Sequence, residues 1–215
     1  MNIEIFYHMY CVNDCVNRFT KTYNKIYNSG LIDLCNNINV VLVGDIDVCK
    51  YATQIGHYKK VKTTCHSSET FGEMNTIKLI HNFCQNNSEG HVLYLHSKGA
   101  SRGSNPNVKA WVDYMEYFLI EKYQACLENL KDHDTVGVEY HETPKKHYSG
   151  NFWWANSSYI KQNKSFEQGL QTSSISDPRW YCEFWLLDNI CKPCNLHSSG
   201  IDLYGAKYEE TNYRL

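Results

Sequence analysis

His91-Val-Leu-Tyr-Leu-His-Ser-Lys-Gly99 changes character halfway along its length. Val92 to Leu95 is a short apolar run, and His96, Ser97, Lys98 and Gly99 end it abruptly. The run lies between two helix-like segments. It therefore reads as a buried strand that delivers polar groups to the edge of an α/β sheet. Ligands of open α/β sheets bind at that edge. A cation and a flexible glycine there suit an anionic ligand, phosphate above all.

Working outward, Ile3, Ile5 and Tyr7 alternate with Glu4 and Phe6, which gives a first strand. Asp14 is placed to cap a helix whose apolar face is Val16, Phe19, Tyr23 and Ile26, and Gly30 fits its end. Asn39 to Gly44 is a continuous apolar strand, and Val61 suits a short one. Glu73 to Cys84 has a helical stripe at Met74, Ile77, Ile80 and Cys84. Beyond Gly99, the stretch from Ser101 to Asn107 is polar. One long helix is expected from Val108 to Leu130, then strands over 135–140 and 151–155. Lys161 to Asp177 lacks periodicity and reads as a loop. Arg179 to Cys191 reads as a last helix, with Trp180, Phe184, Leu187 and Cys191 aligned. The order strand, helix, strand, helix, strand, helix predicts an α/β fold with a mostly parallel central sheet flanked by helices.

The chain has 215 residues, which suits one domain spanning 1–215. Its formal net charge is −2, without the basic footprint of a nucleic-acid binder. No apolar run reaches the roughly 20 residues that a membrane-spanning helix needs. The N-terminus lacks a secretory leader, and ten scattered cysteines suit reduced thiols in a cytoplasmic setting. Cys191-Lys-Pro-Cys194 has a metal-like or redox-like spacing without a second half, and is read as a plain pair of cysteines at a helix end rather than a zinc site.

Several chemistries are unsupported. There is no Gly-x-Gly-x-x-Gly after the first strand, no P-loop and no Gly-x-Ser-x-Gly elbow. Two further segments carry signal. In Ser149-Gly-Asn-Phe-Trp-Trp-Ala155, Gly150 permits close backbone approach and Asn151 can bond hydroxyls. Of Trp153 and Trp154, one is expected in the core and one facing a sugar ring. In Arg179-Trp-Tyr-Cys-Glu-Phe-Trp185, Glu183 sits among aromatics. It either caps a polar neighbour or stands as a base with a raised pKa.

The strings YLHSKG, HYSGNFWWA and RWYCEFWLL resemble small GT-A-fold glycosyltransferases of bacteria and large DNA viruses, including those that build chlorovirus capsid glycans. The similarity runs from Met1 to about Ile190. It implies a GT-A-like fold with a nucleotide-binding part at about 1–100 and an acceptor part at about 101–215. It also implies a nucleoside-diphosphate sugar donor, UDP-linked, a hexose-type transferred sugar and a glycan acceptor, with host cytoplasm as the location if the source is viral. Donor contacts are then expected from Tyr7, His8 and Tyr10 after the first strand, and from Gly44 and Asp45 after the second. Phe71 to Asn75, with Glu73, and His96, Ser97, Lys98 and Gly99 would supply the rest. Ser149, Gly150, Asn151, Trp153 and Trp154 would face the acceptor or sugar. Glu183 would be the base of an inverting transfer, with Asp177 in reserve.

One departure matters. Members of that fold usually carry Asp-x-Asp, holding Mn²⁺ or Mg²⁺, where this chain has His96-Ser97-Lys98. Asp45-Ile-Asp47 has the letters but follows a different strand. Either Lys98 and the Gly99 backbone replace the metal, or His96 ligates it with help from His197. The rival reading is a non-catalytic carbohydrate-binding module or a degenerate transferase that lacks the metal.

Overall fold

The computed structural model describes residues 2–12, 14–66, 72–100 and 105–214. The first half comprises β1 (Ile3–Cys11), α1 (Cys15–Asn28), α2 (Leu31–Leu34), β2 (Asn37–Gly44), α3 (Ile46–Ala52), β3 (Val61–His66), α4 (Met74–Asn86) and β4 (His91–His96). The second half begins with α5 (Pro106–Glu116), a π-helical turn (Tyr117–Glu121), α6 (Tyr123–Asn129), β5 (Thr135–Gly137), β6 (Tyr140–His141) and β7 (His147–Tyr148). It continues through β8 (Trp153–Asn156), α7 (Ser157–Gln162), α8 (Phe166–Thr172), α9 (Pro178–Phe184) and β9 (Pro193–Asn195).

Among the described residues, seven strands pair in the order β3-β2-β1-β4-β8-β5-β9, and β6-β7 form a separate hairpin. Within that sheet only β8 runs against the others. β1 is central, so nearly every residue from Ile3 to Cys11 is buried, and the expected in–out alternation is replaced by burial on both faces. Ile3, Ile5, Tyr7 and Met9 face α1 and α5, whereas Phe6 faces α4. Each fully buried Ile or Leu stabilises by about 1.5–3 kcal/mol. A one-residue slip would swap the two sets and spoil both layers.

Three expectations are corrected. The helix expected over 108–130 is interrupted at Tyr117–Glu121, where Lys122 N bonds to Tyr117 O at 2.9 Å. The extra residue in that turn keeps Tyr117, Leu119 and Ile120 buried and hands on to Tyr123 and Cys126. The 161–177 region carries the end of α7 and the whole of α8, where a loop was expected. Ser165 and Gln168 close a capping box at the start of α8, a local signal that weak periodicity masked. The last helix stops at Phe184, followed by a 3₁₀ turn, Trp185–Leu187, and the tail returns as β9 beside β5. Beyond β9, Arg214 clamps Glu121 with two bonds of 2.6 and 2.7 Å. Among the described residues no helix is long and apolar enough to cross a membrane.

Candidate functional site

The parallel strands all end on one edge of the sheet, and β8 begins there. His8, His96 and Asn151 therefore meet, although up to 143 positions separate them in sequence. The segment after β4 is stitched to β1. Ser97 N donates to His8 O at 2.9 Å, and Ser97 Oγ accepts from Tyr10 N at 2.8 Å.

On the α4 and α9 face of β4 lies a closed polar network. Oε2 of Glu73 accepts from Tyr94 Oη and from Asn151 Nδ2, each at 2.6 Å. Asn151 Oδ1 accepts from Trp153 Nε1 at 3.0 Å, and its Nδ2 also reaches Cys182 O at 3.3 Å. Asn151 holds φ +56°, a left-handed conformation that Asn tolerates better than most residues. Gly150, at φ +94°, lies against Met115 and Trp111, where a Cβ would clash. Its carbonyl accepts from His96 Nε2 at 2.9 Å. Because a carbonyl only accepts, the His96 proton is on Nε2, and Nδ1 faces Glu73 Oε1 at 3.7 Å. Burial, and then the Lys98 charge, lowers the His96 pKa to about 3. Burial also lowers His8 to about 4, and His8 Nδ1 contacts Thr76 Oγ1 at 3.0 Å. Both rings are neutral at physiological pH.

On the opposite face, toward α1 and α5, a cavity of about 310 Å³ opens beside Tyr7, His96, Ser97 and Lys98. Arg18 and Lys21 of α1 and Lys109 of α5 also line it, together with the carboxylates of Asp14, Asp113 and Glu116. Lys25 pairs from behind with both Asp113 and Glu116 at 2.7 Å, and Lys109 lies 3.8 Å from Asp113, so five cations, Lys25 included, stand against three carboxylates. The remaining balance favours an anion. Lys98 Nζ packs 3.9 Å from the centre of the Trp111 ring. Arg18, Lys21 and Lys109 were missed in the sequence. Arg18 and Lys21 share a helix face at i, i+3, but only the apolar stripe of α1 drew attention.

The aromatic expectations are corrected. Trp153 and Trp154 are both in the core, 1% and 0% exposed, with their indole N–H groups spent on Asn151 and Leu119 O. Trp180, expected in the apolar stripe of α9, is 62% exposed, because Tyr181, Cys182 and Phe184 form the buried face. Glu183, one turn later, is exposed as well and not enclosed by aromatics. It makes no hydrogen bond among the described residues, so the capping alternative has no support. Its charge acts on His96 and Tyr94. Arg179 packs beside Gly72, which brings α9 against the start of α4.

Other expected residues have local duties. Asp177 caps α9 by accepting from Arg179 N at 2.8 Å. Asp45 caps α3 by accepting from Asp47 N and Val48 N. Gly44, at φ +138°, lies tight against Cys11. Tyr10, Asn75, Gly99 and Ser149 are half-buried near the same edge, with Ser149 N donating to Glu139 O. Phe71, and Ser101 and Gly103 of the polar stretch, lie outside the described residues.

The two histidines considered as metal ligands lie apart. His197 Nδ1 faces Tyr114 Oη at 3.0 Å in a separate aromatic cluster, while His96 is committed to Gly150. No group of three or more His, Cys, Asp or Glu side chains among the described residues could hold a metal ion. Cys191 and Cys194 are free thiols, like the other eight cysteines.

No curated protein sequence matches this chain. Among solved structures, HddC from Yersinia pseudotuberculosis aligns with a TM-score of 0.51 at 12% identity, over 91% of this chain and 90% of that one. A 4-diphosphocytidyl-2C-methyl-D-erythritol synthase from Anaerococcus prevotii DSM 20548 aligns at 0.48 and 11%, over 91% and 86%. A protein from Desulfovibrio desulfuricans G20, provisionally assigned as a nucleotide-diphospho-sugar transferase, aligns at 0.46 and 9%, over 91% and 80%. At such identities the likeness is one of fold, and with the strand order it makes this an α/β, GT-A-like chain. A sequence profile matches residues 6–200, and by that match the chain belongs to the family described as Domain of unknown function (DUF8361).

Proposed function

We propose that the chain is a glycosyltransferase that moves a hexose-type sugar from a nucleoside-diphosphate sugar, UDP-linked, to a glycan acceptor. The observation that carries this reading is the cavity at the ends of β1 and β4, where Arg18, Lys21, Lys98 and Lys109 converge on one opening. A diphosphate leaving group gains negative charge as the glycosidic bond breaks, and fixed cations stabilise that charge. Since no ligand set for Mn²⁺ or Mg²⁺ is assembled among the described residues, no step is assigned to a metal.

Glu183 supplies the complementary function on the other side of His96. An acceptor hydroxyl attacks the anomeric carbon, its proton passes to the Glu183 carboxylate, and the nucleoside diphosphate departs from the opposite face. One displacement of this kind inverts the anomeric centre. The exposed ring of Trp180, on the same turn of α9, offers an apolar platform for an acceptor sugar.

A thermal-shift screen of nucleotide sugars, with and without Mn²⁺, tests the reading. A bound donor raises the melting temperature with the logarithm of its concentration. We expect a shift with a nucleoside-diphosphate sugar, followed by enzyme-dependent release of free nucleoside diphosphate. Binding without any release or transfer would favour a carbohydrate- or nucleotide-binding module, and no shift with any nucleotide sugar would overturn the donor assignment.

A further inference from the structure

Two hydrogen-bond acceptors face each other at the rim of the site, with no donor between them among the described residues. Oε2 of Glu73 is saturated by Tyr94 and Asn151. Among the described residues its Oε1 has no hydrogen bond, and the one basic group within 4 Å of it is His96 Nδ1, 3.7 Å away. The His96 proton is on Nε2, held by Gly150 O, so Nδ1 presents a lone pair. A lone pair and a carboxylate oxygen this close repel unless a donor enters between them. Neither side chain is sealed off: His96 is 12% exposed and Glu73 16%. His96 also lines the cationic cavity, and the Glu183 charge reaches it. A group bound between the cavity and Glu183 must therefore pass this pair.

We propose that Glu73 Oε1 and His96 Nδ1 together accept a hydrogen bond from one hydroxyl of the transferred sugar. The proposal rests on the donor reading above and adds to it the part of the ligand that is recognised here. Burial reinforces the acceptor role, because it keeps His96 neutral. A ligand that covered these partly exposed acceptors without donating to them would cost free energy, and a sugar hydroxyl avoids that cost on binding. A sugar derivative lacking the hydroxyl would leave both acceptors unpaired and be rejected.

Glu73→Gln is the informative variant. Tyr94 and Asn151 both donate to the Oε2 position, so the amide oxygen must stay there. The amide NH₂ then replaces Oε1 and turns a donor toward His96 Nδ1, so the pair no longer presents two acceptors. The variant should keep its melting temperature while losing the ligand site.

The test is calorimetric titration of wild type and E73Q with a nucleoside-diphosphate sugar and with the matching free nucleoside diphosphate. We expect E73Q to weaken the sugar nucleotide roughly 10- to 100-fold and to leave the free diphosphate unchanged. Equal affinity for the sugar nucleotide would overturn the proposal. An equal loss for both ligands would also overturn it, by assigning the pair to the nucleotide. If the wild type bound the free diphosphate but not the sugar form, the donor reading itself would fail. The ¹⁵N ring resonances of His96 provide a ligand-free readout in the wild-type protein. A neutral ring with an unbonded Nδ1 is expected at neutral pH, and a doubly protonated ring would overturn the proposal.

Discussion

The two faces of β4 end in opposite ways. Toward α4 and α9, Tyr94 and His96 enter a network with Glu73, Asn151, Gly150 and Trp153 at 2.6–3.0 Å, which leaves only the Glu73 Oε1 and His96 Nδ1 pair open. Toward α1 and α5 the same strand end opens into a cavity lined by charged side chains. A closed network fixes positions, because breaking any member strands another buried polar group. An open, charged cavity contributes little to folding and is available to an anion. The closed side should therefore govern stability, and the open rim should govern binding and turnover.

The largest expected effect belongs to Glu183, exposed on α9 beside the network. Glu183→Gln should lower turnover about 10²- to 10⁴-fold, the usual contribution of a general base, without moving the melting temperature. Retained turnover in a steady-state transfer assay would remove Glu183 from the mechanism.

Asn151→Leu tests the closed side. It strands Trp153 Nε1 and removes one donor from Glu73. A loss of roughly 2–4 kcal/mol is expected in urea unfolding, from about 1–3 kcal/mol per unpaired buried group. A loss below the error of the fit would show that the network does not fix this edge.

Acid should act through the same network. His8 and His96 have folded pKa values of about 4 and about 3, below the unfolded value near 6.5. The unfolded chain therefore binds protons that the native rings refuse. Stability is full above pH 6.5 and falls as pH drops from there toward 3. Each ring should cost roughly 2 kcal/mol by pH 5, and melting curves of wild type and His8→Gln would separate their shares.

The smallest effect belongs to the cavity. Lys98→Ala should weaken nucleoside-diphosphate binding about 10-fold, equivalent to about 1.4 kcal/mol, with a salt-dependent component. Its fold stability should change by less than about 1 kcal/mol, the contribution of the contact with Trp111. Unchanged affinity across ionic strengths would detach Lys98 from phosphate recognition.

Much of the first hundred residues was legible. Apolar runs such as Asn39 to Gly44 and Val92 to Leu95 are bounded by polar residues, and parallel strands covered on both faces look like this in sequence. Later elements were harder because their signals are local or tertiary. α8 begins with a capping box inside a polar stretch, and β9 is three residues long, paired only through β5. Trp153, Trp154 and Trp180 show the same limit at the site. Sequence marks all three as large aromatics, but only packing decides which face of β8 or α9 is covered. β8 lies between β4 and β5, so both of its tryptophans are buried, while α9 turns Tyr181 and Phe184 inward and leaves Trp180 outside.

The sequence by itself determined the α/β order, the polar ending of β4 and the residue types that could meet an anion. Those follow from periodicity and from side-chain chemistry, which are local properties. The tertiary structure decided which groups meet. It set Glu73 against His96, drew Arg18, Lys21 and Lys109 to one cavity, and kept His197 in a separate cluster. The reason is physical: strand order and helix facing bring together residues far apart in the chain, and no local pattern encodes those distances.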